Sequence, residues 1–164
     1  HPSFARATYI AIEPDPNAFR ALKLNCAEGL LINCALSDKE AMQAFYLCSS
    51  EGDSSLFEPP SYTEKIDVEV QTLDGCLSKQ DPIHAIKLLK IEAEGMEPEI
   101  LFGGHETISK SKYIALDAGP ERGGCSTAPQ CLNYLFQRGF ELRDTYLNRG
   151  TFLLENTSWD PAKG

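Results

Sequence analysis

The sequence predicts an α/β domain built on a mostly parallel sheet that closes with an antiparallel C-terminal hairpin. Three observations carry this. Short apolar runs alternate with stretches of helical periodicity, the order of repeated strand and helix units. The run Ile86-Lys87-Leu88-Leu89-Lys90-Ile91 leads directly into Glu92 and Glu94 and then into a helical stretch opened by Glu97-Pro98. Two strand-like segments flank Asn148-Arg149-Gly150 near the end of the chain. In an open parallel sheet, ligands sit in the crevice beyond the carboxyl ends of the strands, so acids at that edge are placed for binding or chemistry.

Each element follows from local chemistry. Tyr9-Ile10-Ala11-Ile12 reads as a buried strand ending at Glu13. Asp15 offers an N-cap, Pro16 suits the first helical position, and Phe19, Leu22 and Cys26 share one helical face. Leu30-Leu31-Ile32-Asn33-Cys34-Ala35-Leu36 reads as one strand that stops at Ser37-Asp38. Residues 43–48 and 66–73 read as exposed strands, the second with polar residues alternating. The loop between them, residues 49–64, is rich in Ser, Gly, Pro and Asp, which makes the pair an inserted β-hairpin whose loop overhangs the site. Residues 86–91 form the buried central strand. A helix over 98–109 follows, then a strand over 113–117 and a loop over 118–125 containing Gly119, Pro120, Gly123 and Gly124. Thr127 caps the next helix, Leu132, Leu135 and Phe136 give its inner face, and Gly139 ends it. Residues 140–146 and 151–155 form the terminal hairpin.

A chain of 164 residues with 42% hydrophobic content can bury one core, so a single domain over 1–164 is expected. The formal net charge of −9 and scattered Lys and Arg argue against a nucleic-acid partner, which needs a basic patch. No apolar run approaches the roughly 20 residues that span a bilayer, and no signal-peptide pattern opens the chain, so no membrane partner and a cytoplasmic location are expected. Six dispersed cysteines in a chain of this size point to reduced thiols rather than three disulfides. Their spacing lacks the short C-x₂-C form, and His1, His84 and His105 do not cluster with them, so no structural metal is expected.

The phrases Ala11-Ile12-Glu13-Pro14-Asp15-Pro16, Ala35-Leu36-Ser37-Asp38, Leu88-Leu89-Lys90-Ile91-Glu92-Ala93-Glu94-Gly95 and Glu97-Pro98-Glu99-Ile100-Leu101-Phe102-Gly103-Gly104 stand in the order seen in one family. With this sheet pattern, the chain resembles the FkbM family of class I S-adenosylmethionine-dependent methyltransferases, whose fold is Rossmann-like. The resemblance covers nearly all of the chain, including Ser54-Ser55-Leu56 and Thr72-Leu73-Asp74. Its most specific part is the lysine, acid, any residue, Glu-Gly phrase. The family usually carries Asp where this chain has Glu92. It also has a first strand and a glycine-rich turn, whereas residues 1–8 contain no glycine and no acid. The expected domain is therefore N-terminally incomplete, with its first strand missing. The strands that would flank the missing one then pair directly with each other or leave an open slot.

The resemblance implies methyl transfer from S-adenosylmethionine to a hydroxyl of a sugar or other small molecule. Glu13 is placed to accept the ribose hydroxyl protons, or else to favour the dipole of the following helix. Asp38, with Ser37 beside it, matches the family residue that contacts adenine, or else caps its own turn. Glu92 and Glu94 share one side of the strand if it continues that far, and one of them would serve as general base. The alternative is that they cap the helix or pair with Lys90. Ser54, Ser55 and Arg122 are the candidate acceptor contacts. Glu97 and Glu99 read as first-turn charges favoured by the helix dipole, Tyr46, Phe57, Tyr62 and Trp159 as packing residues, and His105 as a solvated helix residue. The alternative function is a catalytically silent methyltransferase-like binding module, joined as a homodimer along exposed sheet edges, or a fragment that cannot bind the cofactor alone.

Overall fold

The computed structural model describes residues 9–26, 28–49, 53–80 and 82–161, whose strands fall into three sheets. β1 (Ile10–Ile12) runs parallel to β2 (Leu30–Ile32), connected by α1 (Pro16–Asn25). Asp15 caps α1 as the sequence predicts: its carboxylate accepts from the backbone N–H of Asn17 at 2.8 Å and of Ala18 at 3.3 Å. β1 is half-buried rather than buried.

The predicted strand over 30–36 is two strands in two different sheets. The chain breaks at Asn33 and Cys34, and β3 (Ala35–Ser37) pairs parallel with β5 (Glu64–Thr72), which carries β4 (Ala41–Leu47) antiparallel on its other edge. The physical reason is at Asn33, whose side-chain amide donates to the carbonyls of Glu13 at 2.7 Å and Pro14 at 3.2 Å and so ties this point to the end of β1. The hairpin is also less exposed than predicted. Ala35, Phe45, Leu47, Val68 and Val70 make a small core of their own. Leu73 begins a helix, α2 (Leu73–Ser78), instead of ending a strand, because the Thr72 hydroxyl accepts from Gly75 N–H at 3.0 Å and caps it.

The third sheet has the order β6 (Ile86–Ile91), β7 (Ser111–Asp117), β9 (Thr151–Asn156), β8 (Phe140–Tyr146), with the first pair parallel and the others antiparallel. The terminal hairpin is where the sequence put it. Gly150, at φ 65°, takes the left-handed position of its turn. The main core lies against this sheet and includes Ile91, Leu101, Ile114, Leu116, Leu135 and Leu154. β6 is less buried than predicted: Leu88 is 56% exposed, because among the described strands β6 pairs only with β7. β1 likewise pairs only with β2, so β1 and β6 do not pair with each other.

The helix predicted over 98–109 is two short ones, α3 (Glu97–Phe102) and α4 (His105–Ser109). The break falls at Gly103 and Gly104, where there is no room for a side chain: a Cβ on Gly103 would lie 2.3 Å from the Ser37 carbonyl oxygen, and one on Gly104 would lie 2.8 Å from a Leu73 methyl. The Asp74 carboxylate then caps α4, accepting from the backbone N–H of Glu106 and Thr107 and from the Thr107 hydroxyl. Gly103→Ala is expected to cost about 2 kcal/mol in urea denaturation, because the obstructing atom is backbone and cannot swing aside. An unchanged midpoint would show that the end of β3 can yield. The last helix, α5 (Ala128–Phe136), is capped by Ser126, which accepts from Ala128 N–H at 3.1 Å, and not by Thr127. Its buried face is Ala128, Cys131 and Leu135, rotated from the predicted one, and Phe136 is 46% exposed. Among the described residues no helix is long and apolar enough to cross a membrane.

Candidate functional site

The site grows from the turn between β6 and α3. β6 ends at Ile91, and the backbone then passes through the left-handed region at Glu94 (φ 47°) and Gly95 (φ 98°). The strand does not continue, so the alternation that would set Glu92 and Glu94 on one side does not apply. A non-glycine residue in this region costs roughly 1 kcal/mol or more and persists only where its surroundings hold it. Glu97 supplies that hold. It is 1% exposed, one carboxylate oxygen accepts from Ala93 and Gly95 N–H at 3.0 Å each, and the other accepts from the Thr127 hydroxyl at 2.8 Å. A charge favoured by the helix dipole is therefore an incomplete account of Glu97. Its side chain is an internal brace.

Arg122 braces the same turn from outside. Its guanidinium donates to the Gly95 carbonyl and pairs with Glu99, and it lies 5.8 Å from the centre of the Phe57 ring. Two of its hydrogen bonds thus go to the protein itself. Glu92 pairs with Lys90 at the exposed edge of the strand, which is the bland alternative the sequence left open.

At the carboxyl end of β6 a cavity of about 480 Å³ opens, walled by Glu94, Asp53, Ser55, Phe57, Tyr62 and Glu121. Two of these, Phe57 and Tyr62, read from sequence as packing residues, although Tyr62 does also meet Tyr46 edge-on at 5.0 Å. The hairpin loop is fastened over this space by its serines. The Ser55 hydroxyl donates to the Glu94 carbonyl at 2.8 Å and accepts from Phe57 N–H. The Ser54 hydroxyl donates to the Asp15 carboxylate at 3.2 Å and accepts from Cys48 N–H. Asp15 N–H in turn donates to Glu13 at 2.8 Å. These bonds tie the Glu13–Asp15 turn and the Glu94 turn, distant in sequence, to the adjacent serines Ser54 and Ser55. Ser37 and Asp38 are hydrogen-bonded to each other at 3.2 Å, at the end of β3 in a different sheet from β1, and no hydrogen bond among the described residues links them to Glu13.

Burial and like charge set the proton affinities here. Glu94 is pushed up to about 7, first by burial and then by Glu121, Asp53, Glu97 and Glu92. Glu121 is also raised, chiefly by burial, and its Oε2 is buried with no hydrogen-bond partner among the described residues. Burial raises Glu13, partly countered by the Asp15 N–H. Sequence reasoning missed Glu97, Glu121 and Asp53. The signal for Glu97 was the Glu-Gly phrase just before it, since a tight turn needs an acceptor for its free N–H groups.

A carboxyl of raised proton affinity facing a cavity at the end of a parallel strand marks a candidate enzyme site of the α/β class. The family model for the methyltransferase FkbM domain matches residues 3–142, and the chain belongs to that family. It is 25% identical over 132 residues to a protein named 2-O-methyltransferase NoeI from Sinorhizobium fredii (strain NBRC 101917 / NGR234). That match covers 66% of this chain and 52% of the relative, so the chain spans about half the relative's length. No solved structure matches the chain.

Proposed function

We propose that this chain carries the site of an S-adenosylmethionine-dependent O-methyltransferase that acts on a hydroxyl of a sugar or other small molecule. The observation that carries the reading is Glu94, a carboxyl titrating near 7, held by the Glu97 brace and facing a cavity within the usual size range of small-molecule sites. The similarity to a 2-O-methyltransferase supports a hydroxyl oxygen as acceptor. Glu13 fits the cofactor's ribose: Asp15 N–H fixes one carboxylate oxygen, and the second has no partner among the described residues and is free to accept hydroxyl protons. Ser37 and Asp38 are the residues proposed for the adenine.

Bound S-adenosylmethionine would supply an electrophilic methyl group on a sulfonium. The protein's part is to hold the acceptor between Phe57 and Tyr62, to fix the Glu94 backbone through Ser55, and to take the hydroxyl proton on the Glu94 carboxylate as the oxygen gains the methyl. Proton removal contributes typically ~10²- to 10⁴-fold, and alignment of the oxygen with the methyl contributes more. Glu92, paired with Lys90, stays outside this step and acts only as a nearby charge. The test is calorimetric titration with S-adenosylhomocysteine, in which Glu13→Ala should weaken micromolar binding by about tenfold or more. Among the described residues one edge of β1 and one of β6 have no strand partner, which favours a second reading, a binding module that meets a second copy of the chain along those edges. Absence of any S-adenosylhomocysteine binding would leave that module, or a fragment that does not bind the cofactor alone.

A further inference from the structure

Resting on the reading of the cavity as the acceptor pocket, we infer that the acceptor carries a protonated amine beside its hydroxyl groups, as an amino sugar or amino polyol does. Three carboxylates, Glu94, Glu121 and Asp53, line the cavity, and no lysine or arginine does so among the described residues. Arg122 bonds the Gly95 carbonyl and lies 5.8 Å from the centre of the Phe57 ring without lining the cavity, and its charge is answered by Glu99. A phosphorylated or carboxylated sugar would enter this space against like charge with no donor cation to meet it. An ammonium group would meet carboxylates beside the aromatic rings of Phe57 and Tyr62.

The arrangement has a consequence for the base. Glu94 is faced by Glu121 from the loop after β7, Asp53 from the hairpin loop, Glu97 from α3 and Glu92 from its own turn, all negative. A bound cation offsets that repulsion and favours the ionised carboxylate, so the right acceptor helps to make the base that it needs.

The test uses ligand-observed NMR on the 164-residue chain at pH 7, with glucosamine, glucose and glucose 6-phosphate as probes. Glucosamine is expected to bind roughly tenfold tighter than glucose, with glucose 6-phosphate weakest. Asp53→Asn should shrink the glucosamine advantage several-fold, while Glu141→Gln, which removes the same charge from β8 outside the cavity, should leave it unchanged. Equal affinity for glucose and glucosamine, a preference for glucose 6-phosphate, or no glucosamine binding would each overturn the inference. A parallel S-adenosylhomocysteine titration separates the two claims. Cofactor binding without an amine preference sinks only this inference, and an amine preference without cofactor binding sinks only the methyltransferase reading.

Discussion

Glu94→Gln should lower methyl transfer by ~10²-fold or more while leaving S-adenosylhomocysteine affinity nearly unchanged, because glutamine keeps the shape of the side chain and cannot take the acceptor proton. Equal loss of turnover and cofactor affinity would sink the assignment of Glu94 as base. The pH profile gives a second check. With Glu94 titrating near 7, wild-type turnover should rise from about pH 6 to 8, and the residual activity of the variant should lack that rise. Stability should move the other way. The carboxyl titrates near its ordinary 4.5 when unfolded and near 7 when folded, so between those values the folded chain holds a proton that the unfolded chain has lost. Stability therefore falls as pH rises through that window, and the penalty is complete above 7. Glu94→Gln removes the charge and should be more stable than wild type at pH 8 by about 1 kcal/mol, after discounting for solvent at a partly exposed group. At pH below 4.5 the two proteins should unfold alike. A site residue whose loss costs activity and adds stability is the expected mark of charge held against its surroundings for function.

Glu97→Ala should do the opposite on the stability axis and lose both properties together. Truncation leaves the N–H groups of Ala93 and Gly95 and the Thr127 hydroxyl without their acceptor in a buried position. Unpaired buried donors cost about 1–3 kcal/mol each, with partial relief where water enters, which puts the expected loss at roughly 3–5 kcal/mol in urea denaturation. The left-handed conformation of Glu94 then loses its main restraint, so turnover should fall even in the fraction that stays folded. Glu97→Gln separates the brace from mere bulk. Its amide oxygen can still accept from both backbone donors and the Thr127 hydroxyl can rotate to accept from the amide nitrogen, so more than half of the stability should return. If Glu97→Ala unfolds at the wild-type midpoint, the turn is held by something else, and Arg122 through Gly95 and Glu99 is the element to test next.

Most elements were legible because their causes are local. The Asp15 cap, Pro16 at the start of α1, and the hairpin around Asn148, Arg149 and Gly150 rest on contacts between near neighbours, and the structure contains all of them. The misreadings have distant causes. Asn33 sits inside an apolar run and looks like an ordinary strand residue, but its side chain bonds carbonyls 19 and 20 positions earlier, and the strand divides there. Gly103 and Gly104 are visible as a pair, yet what demands glycine at Gly103 is the Ser37 carbonyl, far back in the chain. Phe57 and Tyr62 stand in a polar, proline-containing loop, and only the folding of that loop over Glu94 turns them into cavity walls.

The sequence by itself determined the family, the α/β alternation, and the presence of acids at strand ends, because apolar periodicity, caps and short motifs are set by residues close to one another. The tertiary structure alone decided which of two neighbouring acids faces the cavity. Glu92 stays at the exposed edge with Lys90, while Glu94 is turned inward by a brace from Glu97 and Thr127, 30 positions apart, and by a bond from Ser55, 39 positions away. The proton affinity of Glu94 follows from that enclosure, since burial and the approach of Glu121 and Asp53 exist only once the chain has folded.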